Sequence, residues 1–185
     1  MSARAWLAEP HEAETVARLL IAFRDHLGKR GAPTPAHGGQ GGYAAPAGGR
    51  QVPEGSPWPS DNAILAMVER LSEDLQTEYL LAAPGGDAAP AGVVQLRYRL
   101  SVWTAAPDCW LEDLFVSADA RRHGCGEALV RLALERAALR GCRRIELDAT
   151  EDNAPARALY ERLGFSERSK GARSLFFGRA IEPMD

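Results

Sequence analysis

Apolar residues recur at helical spacing near the start of the chain. Val16, Leu19, Leu20, Phe23 and Leu27 share one stripe, which predicts an amphipathic helix from residue 12 to about residue 28. A short strand over residues 4–8 precedes it. Ile64, Leu65, Val68, Leu71 and Leu75 repeat the helical spacing, with Ser60 or Asp61 placed to cap. The pattern then changes to strands. Residues 79–83 read as one, and Pro84-Gly85-Gly86-Asp87 as a turn. Val94, Leu96, Tyr98 and Leu100 alternate with Gln95, Arg97 and Arg99, which predicts a strand with one apolar face and one wet face. A turn over 105–108 leads to a strand over 110–116. Behind it come a loop and helix over 124–140, a strand over 143–149, a helix over 154–163, and a strand pair over 165–168 and 174–179. Strands in front and strand–helix units behind predict the α/β (α+β) class: a mixed, twisted sheet of six to seven strands, with about four helices on both faces.

Residues 33–59 interrupt this pattern. They are dense in Gly, Pro and Ala, and such a segment buries too little apolar surface to offset its ordering entropy. Too little chain precedes it to fold alone, so the reading is one domain over residues 1–185 with a flexible insertion at about 33–59, Trp58 being its one anchor. At 185 residues and 45% apolar content, the chain has material for one sizeable core. A formal net charge of -3 gives no basic footprint for nucleic acid. Neither a signal peptide nor a stretch of roughly 20 apolar residues that would span a bilayer is evident. Cys109, Cys125 and Cys142 are odd in number and widely spaced, and His11, His26 and His37 lack metal-ligand spacing, so neither a disulfide framework nor a metal site is expected. The expected compartment is the reducing cytoplasm, with no membrane partner. A homodimer, the commonest soluble assembly, is left open.

The most informative stretch is Leu111-Glu112-Asp113-Leu114-Phe115-Val116, a short spacer, then Arg121-Arg122-His123-Gly124-Cys125-Gly126 leading into Glu127-Ala128-Leu129. A strand feeds a glycine-containing turn that opens a helix. The first amides of a helix lack intrahelical partners, and the macrodipole favours an anion there. Glycines let backbone approach a phosphate, and two arginines add positive charge. Together these features read as a pyrophosphate cradle, against the plainer reading of a tight turn before a surface helix. Gly124-x-Gly126 with Asp148 on the next strand also invites a dinucleotide-binding reading. Against it, Leu129 stands where a third Gly or Ala belongs, and a two-arginine spacer separates strand from glycines.

Arg121, Gly124 and Gly126 fill the positions of the Arg/Gln-x-x-Gly-x-Gly/Ala motif, and Asn153 followed by Ala158-Leu159-Tyr160-Glu161-Arg162-Leu163-Gly164-Phe165 fills a second signature. Together they resemble the GNAT superfamily of N-acetyltransferases over roughly residues 79–181. The resemblance implies a sheet splayed between its two central strands and acetyl-CoA as co-substrate. It implies that backbone amides from Cys125, Gly126, Glu127 and Ala128, with Arg121, Arg122, His123 and Gly124 beside them, hold the pyrophosphate. Backbone of Phe115 and Val116 would pair with the pantetheine arm, and Asn153 would hydrogen-bond it, unless Asn153 is an ordinary helix cap.

Acetyl transfer to an amine needs a proton acceptor for the amine and a donor for the departing thiolate. Tyr160 matches the tyrosine that many superfamily members place near the coenzyme sulfur as general acid; the plain alternative is core packing. Glu112 is the candidate base, with Asp113 as competitor because adjacent strand residues face opposite sides. The Leu-Glu-Asp-Leu-Phe-Val string resembles that of polyamine acetyltransferases, where the Glu position takes this role. A backbone amide near Val116 would meet the developing oxyanion. Cys125, at a helix N-terminus behind His123, raises a covalent route, while a small residue at the motif's variable position is the simpler account. Asp25 and His26 end the first helix and either border the acceptor pocket or are solvated. The expected reaction is direct acetyl transfer from acetyl-CoA to a primary amine on a small molecule or peptide; the alternative is a non-catalytic acyl-CoA-binding sensor of the same fold.

Overall fold

The computed structural model of the chain describes residues 2–29, 58–169 and 172–173. The insertion expected at 33–59 falls outside them except for its last two residues, and the strand expected at 174–179 also falls outside. The elements are β1 (Arg4–Leu7), α1 (Ala13–Lys29), α2 (Asp61–Ser72), β2 (Thr77–Ala83), β3 (Gly92–Ser101), β4 (Ala106–Val116), α3 (Cys125–Leu139), β5 (Arg144–Glu146), α4 (Ala154–Arg162), β6 (Arg168–Ser169) and β7 (Ala172–Arg173). Both early helices lie where the apolar stripes place them. Ser60 caps α2, its hydroxyl accepting the Ala63 N–H at 3.2 Å. No described helix is long and apolar enough to cross a membrane.

The strands form one five-stranded sheet in the order β1-β2-β3-β4-β5, with β6 and β7 paired only to each other among the described residues. Among the described residues the main sheet thus has five strands where six to seven are expected. The first four strands run antiparallel as a meander, and β5 joins β4 in parallel. Boundaries also move. β4 starts at Ala106, four residues earlier than its apolar pattern indicates, because Pro107 and Asp108 pair with Leu100 and Arg99 of β3. β5 shrinks to three residues.

The sheet divides two cores. On one face α1 and α2 bring Val16, Ala17, Leu19 and Val68 against Tyr79, Leu81, Val93 and Phe115. On the other, Leu129, Val130, Ala133 and Ala137 of α3 and Tyr160 of α4 cover Leu80, Ala82, Val94, Leu96, Tyr98, Cys109 and Leu111. Leu75 and Leu100, both assigned to apolar stripes, are exposed instead. Leu75 lies beyond the end of α2 and is 79% exposed; Leu100 lies where β3 overruns the covering helices and is 88% exposed. Arg24 ties α1 to the returning chain, donating to the Pro59 carbonyl at 2.8 Å and pairing with Asp25 and Asp61.

One buried ion cluster fastens the sheet to α3. Glu78, 7% exposed on β2, accepts from Arg136 at 2.7 and 2.9 Å, from Arg140 at 2.9 Å and from the Tyr98 hydroxyl at 3.0 Å. Burial pushes this carboxyl up, but the Arg136 and Tyr98 hydrogen bonds outweigh it and hold the group below the ordinary carboxylate value. A depressed folded-state value means that the stabilisation is full above the unfolded carboxylate range, near pH ~4.3, and is lost as pH falls through the lower folded value. Removing one member of a buried pair leaves the other charge uncompensated. Glu78→Ala is therefore expected to lower stability by about 3 kcal/mol at neutral pH in urea titrations, a difference that narrows in acid. An equal loss at pH 7 and pH 3 would contradict this role.

Candidate functional site

The site is built where β4 loses a neighbour. On one side β4 pairs with β3 from Ala106 to Val116. On the other, β5 pairs only with Asp108, Cys109 and Trp110 before it ends at Glu146. Beyond Trp110 the two strands part, and β4 presents an edge to the gap. At the end of that edge Ser117 donates its N–H back to Ala91 on the β3 side at 2.8 Å. Successive residues of a strand point their peptide groups to opposite sides, so Val116 turns its N–H and carbonyl into the gap. Its carbonyl accepts from Arg121 Nε at 3.1 Å. The same alternation turns the Phe115 peptide toward β3, so of the two residues expected to offer backbone, Val116 is the one facing the gap.

The glycine loop follows directly. Arg122 (φ 64) and Gly124 (φ 87) both take left-handed backbone, and Gly124 is the N-cap of α3. No side chain caps this helix. Alternating left- and right-handed residues turn successive N–H groups to one side, the concave arrangement that receives anions. Ala128, expected among the anion-binding amides, is a correction: its N–H closes the first helical turn on the Gly124 carbonyl at 2.9 Å. Cys125, Gly126 and Glu127 keep the N–H groups that a helix start leaves without intrahelical partners. Gly126 serves packing. A Cβ there would meet Leu159 Cδ2 of α4 at 3.3 Å and Val116 Cγ2 at 4.0 Å, whereas Gly124 is fixed by its backbone angle. The Glu127 carboxylate is held by Arg131 at 2.8 and 3.0 Å and by Arg162 of α4 at 3.0 Å, which offsets a negative charge beside the loop. His123 Nδ1 lies 2.9 Å from the Arg121 carbonyl. Arg121, Arg122 and His123 are exposed.

Tyr160 reaches the region from the α3–α4 face. It is 8% exposed, packs 5.8 Å from the Phe165 ring, and belongs to the same core as Leu111. Burial, with Asp148 nearby, pushes its phenol up to about 12, so it keeps its proton at neutral pH. Asn153 opens α4 without a side-chain cap, which removes the plain capping role weighed for it. The Cys125 thiol is 1% exposed, and burial raises its pKa, the opposite of what a thiolate nucleophile needs.

Glu112 and Asp113 are separated by an irregularity in β4. Val93 pairs with Phe115 but Gln95 with Glu112, so Asp113 and Leu114 together oppose the single residue Val94. Asp113 absorbs the extra length at φ 54 and is exposed. This bulge resets the alternation: Glu112 and Phe115, three apart, share the α1–α2 face. Glu112 is half-buried there and accepts from Gln95 Nε2 at 3.0 Å. On that face Phe115 stacks on Phe23 at 5.5 Å and meets the His26 ring at 6.3 Å, which brings the end of α1 to the site. Asp25 is engaged with Arg24. Sequence reasoning assigned Gln95 to a wet face and so missed it; the Gln95–Glu112 cross-strand register, once the meander is recognised, is the signal that finds it. Among the described residues no group of three or more His, Cys, Asp or Glu is placed to hold a metal ion.

Comparison with known proteins agrees with this geometry. The family model described as "Acetyltransferase (GNAT) family" matches residues 50–165. Aminoglycoside N(6')-acetyltransferase type 1 of Acinetobacter genomosp. 13 is 33% identical over 116 residues, 61% of this chain and 80% of its own length. Mycothiol acetyltransferase of Corynebacterium jeikeium (strain K411) is 49% identical over 47 residues, 25% of this chain but only 14% of its own length. Among solved structures, AAC(6')-Iy in complex with the bisubstrate analog CoA-S-monomethyl-acetylneamine shares the fold at a TM-score of 0.64 and 17% identity, covering 98% of this chain and all of its own. With more than half of its length matched to the family model and a splayed strand pair feeding an uncapped glycine-started helix, the chain belongs to the acetyltransferase (GNAT) family.

Proposed function

We propose that this chain is an N-acetyltransferase that takes an acetyl group from acetyl-CoA and places it on a primary amine by direct transfer, in the cytoplasm. The observation that carries the reading is the Val116 peptide facing the gap at the end of β4, one short loop before the uncapped start of α3. That arrangement fits a long acyl-CoA. The amides of Cys125, Gly126 and Glu127, with Arg121 and Arg122 nearby, suit its pyrophosphate. The Val116 edge suits its amide-containing arm, to which Asn153 adds a side-chain amide. The relatives named for aminoglycoside and mycothiol acetylation, and the fold neighbour held with a CoA bisubstrate analog, support a small-molecule amine as acceptor.

The donor, when bound, supplies an activated acyl thioester. The chain's residues divide the rest. Glu112, on the α1–α2 face, accepts the proton that the ammonium must lose before it can attack. Asp113, exposed at the surface on the bulge, is assigned no proton. The Val116 N–H donates to the acyl oxygen as negative charge grows there, a contact stronger at the transition state than before it. Tyr160, arriving from the opposite face, gives its proton to the departing thiolate. Base and acid thus approach the gap from opposite faces of the sheet. The buried, protonated Cys125 thiol favours direct transfer over an acyl-enzyme.

Two measurements test this reading. Acetyl-CoA at a hundredfold excess over its Kd is expected to add about 2.7 kcal/mol of stability, seen as a rise in Tm that NAD does not match. Tyr160→Phe is expected to lower kcat by about 10²–10⁴-fold with coenzyme affinity nearly unchanged. No shift with acetyl-CoA, or full activity in Tyr160→Phe, would overturn the corresponding assignment. The cysteines supply a third test. Burial pushes the Cys109 thiol up to about 12, and Cys125 is equally enclosed, while Cys142 is half-buried. Ellman's reagent at pH 8 should therefore modify Cys142 first and leave Cys125 intact until the protein unfolds. Rapid modification of Cys125 in the native protein would revive the covalent route.

A further inference from the structure

Gln95 has a burial that its residue type does not explain. It is 5% exposed, in the middle of β3. Long polar side chains rarely enter a core unless their hydrogen bonds are met there. The register places it in a row across three strands: Tyr79 of β2 opposite Gln95, and Gln95 opposite Glu112 of β4. Directly opposed residues of an antiparallel pair share a face, so all three look toward α1 and α2. On one side the neighbours of the row on that face are apolar, Leu81, Val93 and Phe115; on the other they are Thr77, Arg97 and Trp110. Gln95 Nε2 donates to Glu112 Oε2 at 3.0 Å. The bond lies one residue before the bulge, where β4 changes its alternation. Each donor that a half-buried glutamate accepts from narrows its rotamers and favours its ionised form, and Gln95 is such a donor.

We propose that Gln95 is a positioning residue for acetyl transfer: its side-chain amide fixes the Glu112 carboxylate in one rotamer on the acceptor side of the gap and keeps it ionised. This rests on the reading of Glu112 as the base. Gln95 touches neither substrate nor donor and acts only through Glu112. The groups that face the pair are Tyr79 from β2, with Arg97 beside it on β3, Asp113 from the bulge, and His26 at the end of α1 beside Phe115. Tyr79 holds its proton, because burial and the negative charges of Asp113 and Glu112 push its phenol up. It therefore stays a neutral neighbour through the working range. Arg97 and His26 are present in every variant below.

The test is a pH profile of kcat/KM for acetyl transfer to an amine, in the full chain, for wild type, Gln95→Met, Glu112→Gln and the double variant. In kcat/KM the limbs belong to the free enzyme and the free amine, and the amine's own limb cannot move with an enzyme substitution. Gln95→Met keeps length and removes the donor. A hydrogen bond to a charged group is worth one to two pKa units, so the acidic limb should move up by about one pH unit, with KM for acetyl-CoA unchanged. The double variant should be no slower than Glu112→Gln alone, since a residue that acts through Glu112 has nothing to add once the carboxylate is gone. An unmoved limb in Gln95→Met, or a loss that recurs at full size in the Glu112→Gln background, would overturn the proposal while leaving Glu112 as base. A Glu112→Gln profile that overlays wild type would instead remove the base reading, and this role with it. Gln95→Asn, which withdraws the amide by one methylene, gives the same readout if the methionine variant does not fold.

Discussion

A β-strand has two edges, and each must be satisfied. β4 is bonded to β3 along its length, but its other edge is paired for only three residues before β5 stops. Backbone groups left in a cleft need partners, and an acyl chain with amides of its own can supply them in the manner of an added strand. The rest of the site is arranged around that edge. Arg121 takes the Val116 carbonyl, which fixes the strand's end and leaves the N–H facing the gap. The left-handed turn at Arg122 and Gly124 then brings the uncapped start of α3 beside it. Leu159 packs into the space that Gly126 leaves, so α4, which carries Tyr160, is held against the same helix start. The Arg162–Glu127 pair joins the two helices at that point.

The bulge at Asp113 and Leu114 complements the gap. Without it, Glu112 and Phe115 would point to opposite faces. With it, both look toward α1 and α2, while Leu111 and Leu114 remain in the core under α3. The α1–α2 side of the gap thus acquires a carboxylate and an aromatic wall, made of Phe115, Phe23 and His26. The α3–α4 side keeps its apolar packing and a phenol that burial keeps protonated. In the proposed reaction, two proton tasks that would compete in one pocket are thereby separated by the thickness of a sheet. The ion cluster around Glu78 holds β2 to α3 away from the gap, so the frame does not depend on the strands that diverge.

Much of this was legible in the chain. The stripes of Val16, Leu19 and Leu20 and of Ile64 and Val68 mark helices because their spacing is local. The loop from Arg121 to Gly126 is legible because a strand, a glycine turn and a helix start follow one another without a break. What escaped depends on contacts distant in sequence. Gln95 reads as solvent-facing by alternation; only the covering helices α1 and α2 make its face a core. Asp113 gives no local sign of left-handed backbone, because the bulge arises from the register between β3 and β4. Leu75 and Leu100 fit their stripes but lie past the ends of the elements that would bury them. Ala128 sits in the right motif, yet the first helical turn claims its N–H. The shortness of β5, which opens the gap, is set by where Leu147 and the residues after it leave the sheet, and no residue type there announces it.

The central claim is that the gap beside β4 and the start of α3 together receive acetyl-CoA. Residue-resolved amide hydrogen exchange, with and without saturating acetyl-CoA, tests it most directly. The account predicts slowed exchange at Val116 and at Cys125, Gly126 and Glu127, with Ala128 little changed because its N–H is already bonded within the helix. Protection that appears elsewhere while Val116 and the first turn of α3 exchange as before would contradict it.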